Sequence, residues 1–487
     1  MNFESLLRAL NEFHTARVLV VGDVMLDRFI YGSVERISPE APIPVVNVER
    51  TSDMPGGAAN VARNIAAMGA RVKLLGVVGA DEWARDLRTQ LAASPSIEAH
   101  LVTDATRPTS VKTRYVADSQ QVMRADRESR TAVGVEIERA LLDQFAVALR
   151  DTAVVILSDY AKGVLSDSLT KALINTARRA GKTVLVDPKS RDLGKYRGAN
   201  VLTPNRQELQ QASGFECRDE ASVHQGGQAI LRDGVCDALV VTRGKDGMSV
   251  IDGDGATHLP TSARQVFDVS GAGDTAVAAI ALGTACGATL IESAQLGNIA
   301  AGLVVGKRGT ATVSAGEMVA ELAAYSGNTD REKIYTLETA LHLTRIWRAS
   351  SQKVAFANGC FDLLHPGHIS LLEQARASAD RLIVGLNADV SIRLLKGPNR
   401  PVQGEVARAT VLAALKFVDA VVIFSEETPL RLIEALEPDV LVKGSDYTLD
   451  NVVGAREVMA RGGRVVLIDL LKGHSTSETV KRVATIR

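Results

Sequence analysis

Asp-Val-Ser-Gly-Ala-Gly-Asp-Thr, residues 268–275, and Asn-Gly-Cys-Phe-Asp-Leu-Leu-His-Pro-Gly-His, residues 358–368, are two different phosphate-handling loops on one chain. In the first, Gly271, Ala272 and Gly273 stand ahead of the longest uncharged run, Thr275–Ile291, which reads as one buried helix. Free backbone N–H groups at the positive end of a helix suit the charge on a transferring phosphoryl group. A carboxylate beside such a loop is electrostatically awkward, and Asp274 makes sense if it takes the proton of an attacking hydroxyl. A Gly-rich turn followed by an N-capping Asp is the competing reading of the motif taken alone. In the second stretch, His365 and His368 open the apolar helix Ile369–Ala375, where both imidazoles can donate hydrogen bonds to a nucleotide triphosphate. One His as a cap and the other packed is the structural alternative, and metal binding lacks a third His or Cys nearby. Two active sites, each using ATP, are expected.

A chain of 487 residues exceeds what one hydrophobic core usually spans. Its 56 Lys plus Arg nearly balance 57 Asp plus Glu, which removes any global electrostatic reason to expect nucleic acid or a membrane as partner. Cys217, Cys236, Cys286 and Cys360 are scattered, so neither a zinc site nor a disulfide framework is suggested and a cytoplasmic location is expected. The N-terminus lacks the apolar core of a signal peptide, and Thr275–Ile291 falls short of a membrane span.

Short β-branched runs alternate with helical patterns: Arg17–Val21, Ala153–Leu157, Thr183–Val186 and Ala238–Val241, then Lys353–Ala357, Arg381–Leu386, Ala420–Phe424, Val440–Val442 and Arg464–Ile468. This rhythm predicts an α/β architecture, with parallel sheets covered by helices. The polar stretch within Ala324–Glu338 predicts a division into residues 1–328, a linker and leading helix at 329–351, and a second domain at 352–487. Thr109–Asp126 alternates around Asp118 and Ser119 as a hairpin would, and Ile43–Val48 is another extended run. Together they suggest a small β lid over the first site, with a plain edge strand as the alternative. Arg114, Arg124 and Arg127 are candidates to grip a phosphate of the substrate there.

The first loop has company. Gly22–Asp27 follows the first strand, Pro55–Asn60 opens the next helix, and Thr203–Glu208 and Thr242–Gly247 follow later strands. This constellation resembles the ribokinase-like carbohydrate kinases over about Arg17 to Thr312. The resemblance implies that Asp23, Gly56, Gly57 and Asn60 hold sugar hydroxyls, with Lys189 as a further candidate. It places Asn205 and Glu208 at a Mg²⁺–phosphate end, with Glu208 acting on the metal indirectly. Arg243 would meet the phosphates, Gly244 the nucleotide, and Gly271, Ala272 and Gly273 the transferring group.

Residues 358–368 resemble the His-x-Gly-His signature of the cytidylyltransferase-like nucleotidyltransferases, which have a Rossmann-like fold. Lys396 in a basic loop, Arg408, Lys443 and the trio Ser475, Thr476 and Ser477 agree with it, and Gly359 and Phe361 join the implied nucleotide set. His474 to Ser477 departs from the Ile-Ser-Thr-Thr common in similar enzymes, which touches only the role of Ser477. No carboxylate base is evident. A phosphate monoester acceptor, already anionic, needs only alignment and charge stabilisation. The order of the two halves, with Val21–Arg28, Ser38–Pro42 and Leu157–Gly163, resembles the bacterial family of bifunctional heptose 7-phosphate kinase/heptose 1-phosphate adenylyltransferases. That resemblance implies heptose phosphates and ATP as substrates, Mg²⁺ as cofactor, a role in lipopolysaccharide core synthesis and a homodimer through the lid. A sugar kinase fused to a cytidylyltransferase, or a nucleotide-binding regulator without catalysis, are the competing readings.

Overall fold

A computed structural model describes residues 3–117, 120–261, 269, 271–307, 311–326, 333–349 and 351–469. The chain divides into two compact units, 1–318 and 319–487.

The first unit is built on a nine-stranded sheet whose spatial order is Gly255–Leu259, Met248–Asp252, Cys236–Thr242, Ala199–Leu202, Thr183–Asp187, Val154–Ser158, Arg17–Gly22, Arg71–Val78 and Ile97–Thr103. Seven neighbouring strands run parallel and the first two form an antiparallel edge. Val18, Leu19, Val20 and Val21 are all buried, the continuous apolar run demanded of a parallel strand covered on both faces. Alternate residues, such as Leu19 and Val21, Val155 and Leu157, and Val184 and Val186, fill one core layer.

The lid is a separate four-stranded sheet in the order Pro44–Gly57, Val24–Ile37, Ser110–Ala117 and Gln120–Arg127. The hairpin expected across Thr109–Asp126 is its antiparallel outer pair, with residues 118 and 119 outside the described set. Ile43–Val48 is mostly part of a 14-residue strand, and Gly22–Asp27, expected to follow the first strand, spans the end of that strand and the start of the other long lid strand. Both long strands are half solvated on a layer only one sheet thick, so the sequence lacks a sustained apolar face there.

Thr275–Ile291 is not one helix. Ala272–Ala285 and Leu290–Val304 are separated by a turn in which Gly287 adopts φ +77°, and Thr289 starts the second helix with a capping box to Glu292. Both helices are buried over most of their circumference, which hides the break from hydropathy.

The second unit carries an all-parallel six-stranded sheet in the order Ile334–Tyr335, Ala420–Phe424, Arg381–Asn387, Val354–Gly359, Val440–Gly444 and Arg464–Ile468. Strand order reverses at Val354–Gly359, whose C-terminal end therefore opens a crevice. From Lys333 onward the segment expected as linker and leading helix packs into this unit. Ile334 and Tyr335 pair with Val421 and Val422, and Lys333 Nζ donates to the Leu415 carbonyl at 3.2 Å. In the helix Leu337–Ala349, the Arg348 guanidinium donates to the Leu436 carbonyl at 2.7 Å. All four cysteines are free, and among the described residues no helix is long and apolar enough to cross a membrane.

Candidate active sites

In the first unit, a cleft of about 830 Å³ lies where the strands Thr183–Asp187 and Cys236–Thr242 end, and the phosphate loop forms one wall. Gly271 takes φ +79° as the N-cap of Ala272–Ala285, a conformation costly for any side chain, and this brings the amides of the first helical turn to the cleft. Asp274 stands in that turn and is only 6% exposed. Asn60 Nδ2 donates to one of its oxygens at 2.6 Å and the Tyr160 hydroxyl donates to the other. Burial pushes the Asp274 carboxyl up to about 6, the two donors oppose that rise, and the charge of Asp27 adds to it.

Asn205, Glu208, Arg243, Gly244, Gly271, Ala272 and Gly273 all line this cleft with Asp274. Asn205 and Glu208 are locked together as the capping box of helix Arg206–Ser213, so Glu208 is held by its own helix start. Arg243 is buried, donates to Glu220 at 3.0 Å and still faces the cleft. Lys189, expected among the sugar-binding groups, instead pairs with Glu208 at 2.7 Å. Long side chains reach back across the cleft, and the nearest counter-charge decides where the ammonium sits.

Asp23 also departs from its expected use. Its carboxylate is 1% exposed and accepts from the backbone N–H groups of Tyr160, Lys162 and Val164 at 2.8, 3.0 and 3.1 Å. It staples a loop. The carboxylate beside the lid glycines is Asp27: a Cβ on Gly56 would lie 2.2 Å from its Oδ2, and Arg114 pairs with its other oxygen. Gly57 is left-handed, at φ +59°, and ends the lid strand just before the helix that carries Asn60. Of the three lid arginines, only Arg114 is turned to this buried carboxylate. Arg124 pairs with Asp126 on an exposed surface and Arg127 is exposed.

Tyr160, Asp27 and Asp187 are site residues that the sequence reading did not select. Asp187 is pushed well above the usual carboxylate range by burial and by the charges of Asp274 and Glu208. The stretch Leu157–Gly163 carried the signal for Tyr160, but only as a family likeness, because its aim at Asp274 is a contact over 114 residues of sequence.

In the second unit, His365 is the N-cap of helix Pro366–Ala377, and the His365 and His368 rings stack with centroids 3.8 Å apart. Burial first, then the neighbouring His365, pushes His368 down to about 4, and Lys396 contributes to the same lowering. At neutral pH His368 is therefore an uncharged imidazole with one donor. Phe361, at φ +41°, presents its ring edge-on to His368 with centroids 5.2 Å apart and packs beside Gly359. Lys443 donates to the Asn358 carbonyl at 3.3 Å, and burial lowers its proton affinity. Thus His365, His368, Gly359, Phe361 and Lys443 come together at the sheet's reversal point, with Lys396 near enough to act on His368 electrostatically. Ser475, Thr476 and Ser477 lie outside the described residues.

Two buried side chains hold this crevice in shape. Asp362 pairs with Arg400 at 2.6 Å and accepts from the N–H groups of Val402 and Gln403. Arg408, 1% exposed, donates to the carbonyls of Cys360, Asn387 and Gln403 and to the Asp389 carboxylate. One guanidinium thereby ties three loops together.

Comparison with known proteins agrees with this division. Residues 15–315 match the pfkB family of carbohydrate kinases, and residues 356–481 match the cytidylyltransferase-like family. The first unit's fold is shared with a ribokinase of Arabidopsis thaliana complexed with ribose and ATP, at TM-score 0.52 and 18% identity over 63% of this chain and 98% of that one. It is shared equally with phosphofructokinase-2 of Escherichia coli in complex with fructose-6-phosphate, at TM-score 0.54 and 21% identity over 64% and 99%. Over the whole length, a bifunctional protein HldE of a Caulobacter species is 51% identical across 99% of this chain and 98% of its own. That of Paramagnetospirillum magneticum is 49% identical across 98% of both. The chain therefore belongs to the HldE family of bifunctional proteins, in which a carbohydrate kinase and a nucleotidyltransferase share one polypeptide.

Proposed function

We propose that Asp274 and the stacked pair His365 and His368 are the working centres of the two reactions of this heptose 7-phosphate kinase/heptose 1-phosphate adenylyltransferase. The kinase half phosphorylates D-glycero-D-manno-heptose 7-phosphate at C1 with ATP. The second half transfers AMP from ATP to heptose 1-phosphate, releasing pyrophosphate and ADP-heptose for the lipopolysaccharide core. The observation that carries the residue assignment is the buried Asp274, poised near neutrality at the mouth of a helix start.

In the kinase, Asp274 takes the proton of the C1 hydroxyl as its oxygen bonds to the γ-phosphorus, while the amides at Gly271–Gly273 receive the phosphoryl charge. Asn60, Gly56, Gly57 and the pair Asp27 and Arg114 form the sugar end; Asn205, Arg243 and Gly244 form the nucleotide end. Mg²⁺ fits beside Glu208. Asp187 is short of counter-charge there, and among the described residues no three acidic, His or Cys side chains form a direct metal cluster, so the ion would be held through ATP and water. When bound, it offsets the charge of the phosphates.

In the second half the acceptor is already an anion, and His365, His368, Lys396 and Lys443 supply hydrogen bonds and charge to the α-phosphate and leaving pyrophosphate. Ser475, Thr476 and Ser477 complete the nucleotide end in this reading. We place the boundary between the two catalytic units within 327–332 and the chain in the cytoplasm, as its four free thiols suit. Ile37, Ile43, Val48 and Met123, each more than half exposed on the lid, support a homodimer formed there. A product assay tests the whole reading: synthetic heptose 7-phosphate and heptose 1-phosphate are each offered with ATP or CTP and Mg²⁺. The bisphosphate and ADP-heptose are expected, and a CDP-sugar product would overturn the adenylyl assignment.

A further inference from the structure

We infer that Tyr160 is a positioning residue of the kinase centre: its hydroxyl holds the Asp274 carboxylate turned to the cleft as a base for the sugar hydroxyl. The inference rests on the reading of Asp274 as that base and adds the group that keeps it one.

The two oxygens of Asp274 are gripped from two different elements. Asn60 donates from the helix Ala58–Ala67, and Tyr160 donates from the loop after the strand Val154–Ser158. One hydrogen bond leaves a carboxylate free to rotate, whereas two donors on opposite oxygens fix its plane. Each oxygen keeps a lone pair, so the sugar hydroxyl can still be accepted. As that proton passes to Asp274, the C1 oxygen bonds to the γ-phosphorus and ADP leaves; the Tyr160 proton stays on its phenol.

The loop that presents Tyr160 is fastened more heavily than a connecting loop requires. Buried Asp23 accepts from the amides of Tyr160, Lys162 and Val164. Asp159 accepts from the Ala161 amide at 2.7 Å and is itself paired with Lys195 at 2.6 Å. Ala161 is forced to φ +55°, and Gly163 has no room for a side chain, since a Cβ would lie 2.0 Å from the Thr131 carbonyl oxygen. A non-glycine residue in that conformation persists only where its surroundings over-determine it. Two buried carboxylates spent on backbone amides, with strain at the residue next to Tyr160, are what it takes to aim one phenol.

The electrostatics explain why a donor is needed there. Asp274 is buried and faces the carboxylates of Asp27 on the lid strand Val24–Ile37 and Asp187 at the end of Thr183–Asp187. Lys112 on the lid strand Ser110–Ala117, 5.5 Å from the centre of the Tyr160 ring, is the cation facing this group. Without the phenol, burial and like charge would drive Asp274 toward the protonated, inactive form. Tyr160 itself stays protonated throughout the working range, because burial and the charges of Asp274 and Asp187 hold its proton.

The test is Tyr160→Phe in the full chain, with the kinase and adenylyltransferase reactions followed from pH 5 to 9. Kinase kcat should fall about tenfold or more at pH 7 and its acid limb should move up by roughly one to two pH units, with the KM for ATP little changed. Adenylyl transfer should stay at the wild-type rate, reporting a folded chain. Replacing Tyr160 by 3-fluorotyrosine, which keeps the shape but donates more strongly, should move the limb the other way. Asp274→Asn separates the two ideas. If that variant keeps kinase turnover, the base assignment falls and Tyr160 with it. If it is inactive while Tyr160→Phe leaves the limb where it was, whatever its kcat, only the positioning role is overturned; a limb unmoved by 3-fluorotyrosine overturns it as well.

Discussion

The two phosphate sites of this chain solve one electrostatic problem in opposite ways. In the first unit a buried carboxylate at the start of a helix is held by two donors, and in the proposed reading it takes the proton that a sugar hydroxyl must lose. In the second, two imidazoles stack at a helix start, and burial together with the neighbouring His365 holds His368 below the ordinary imidazole range, so that in the proposed reading it offers a donor without adding a net charge. The difference follows from the nucleophile: an alcohol needs a proton acceptor, whereas a phosphate monoester needs only to be brought in line.

The sharpest way to break that contrast is to exchange activities by single substitution. Asp274→Asn keeps the shape and removes the acceptor, so kinase turnover should fall by about 10²–10⁴-fold while adenylyl transfer persists. His368→Ala should do the reverse, losing adenylyl transfer by about 10²–10³-fold. Loss of both activities from either change, in a protein that remains folded by circular dichroism, would show that the sites are not independent.

The sites also differ in what holds them, and Arg408 tests this. It is wholly buried and donates to three carbonyls and the Asp389 carboxylate. Arg408→Met preserves volume but strands those acceptors, so the second unit should lose about 3 kcal/mol of stability in urea, and adenylyl activity with it. The cleft around Asp274 is lined by residues of the first unit alone, so kinase turnover should not change.

How much of this was legible in the sequence depended on whether the signal was local. Ala420–Phe424 forms a strand at the residues expected, because a covered parallel strand writes itself as an unbroken apolar run, and Arg464–Ile468 does so at the sheet edge, where Val465, Val466 and Leu467 are only half-buried. His365 and His368, three residues apart on one helix start, could be paired from spacing alone. Tyr160 against Asp274, Asp23 under the Tyr160 loop and Lys189 against Glu208 could not, since each partner choice is made by packing across the sheet. The lid strand Val24–Ile37 was missed because its burial runs out along its length, from buried Val24–Asp27 to exposed Glu35–Ile37, instead of alternating between two faces. Gly287, which breaks the long apolar run, would have been readable as a left-handed C-cap had the flanking helices carried polar faces.

Gly56 sharpens the comparison at the proposed sugar end of the first site. A methyl group there would meet Asp27 Oδ2 at 2.2 Å and must push aside the partner of Arg114. Gly56→Ala should therefore cost roughly 1–3 kcal/mol, seen as a raised KM for the heptose phosphate with a nearly unchanged KM for ATP. Equal rises in both constants would mean that the clash is relieved by shifting the whole cleft.

The smallest effect should come from the largest change, cutting the chain in two. Each unit has its own sheet, and although the compact units meet at 318/319, inside helix Ala315–Ser326, a break within 327–332 leaves that helix whole and severs no strand or helix among the described residues. Fragments 1–326 and 333–487 should each fold and keep their reaction within about twofold of the full chain. The position of the cut matters more than its existence. A fragment starting at 352 loses the edge strand Ile334–Tyr335 and the buried Leu343 and Trp347, side chains worth about 1.5–3 kcal/mol each, and should melt at a lower temperature than 333–487. Measuring both fragments by thermal melting and by ADP-heptose formation decides between an integral helix and a mere leader. Equal stability of the two would return residues 333–349 to the role of linker, and a soluble, folded 333–487 that works only when 1–326 is added back would show a site shared across the boundary.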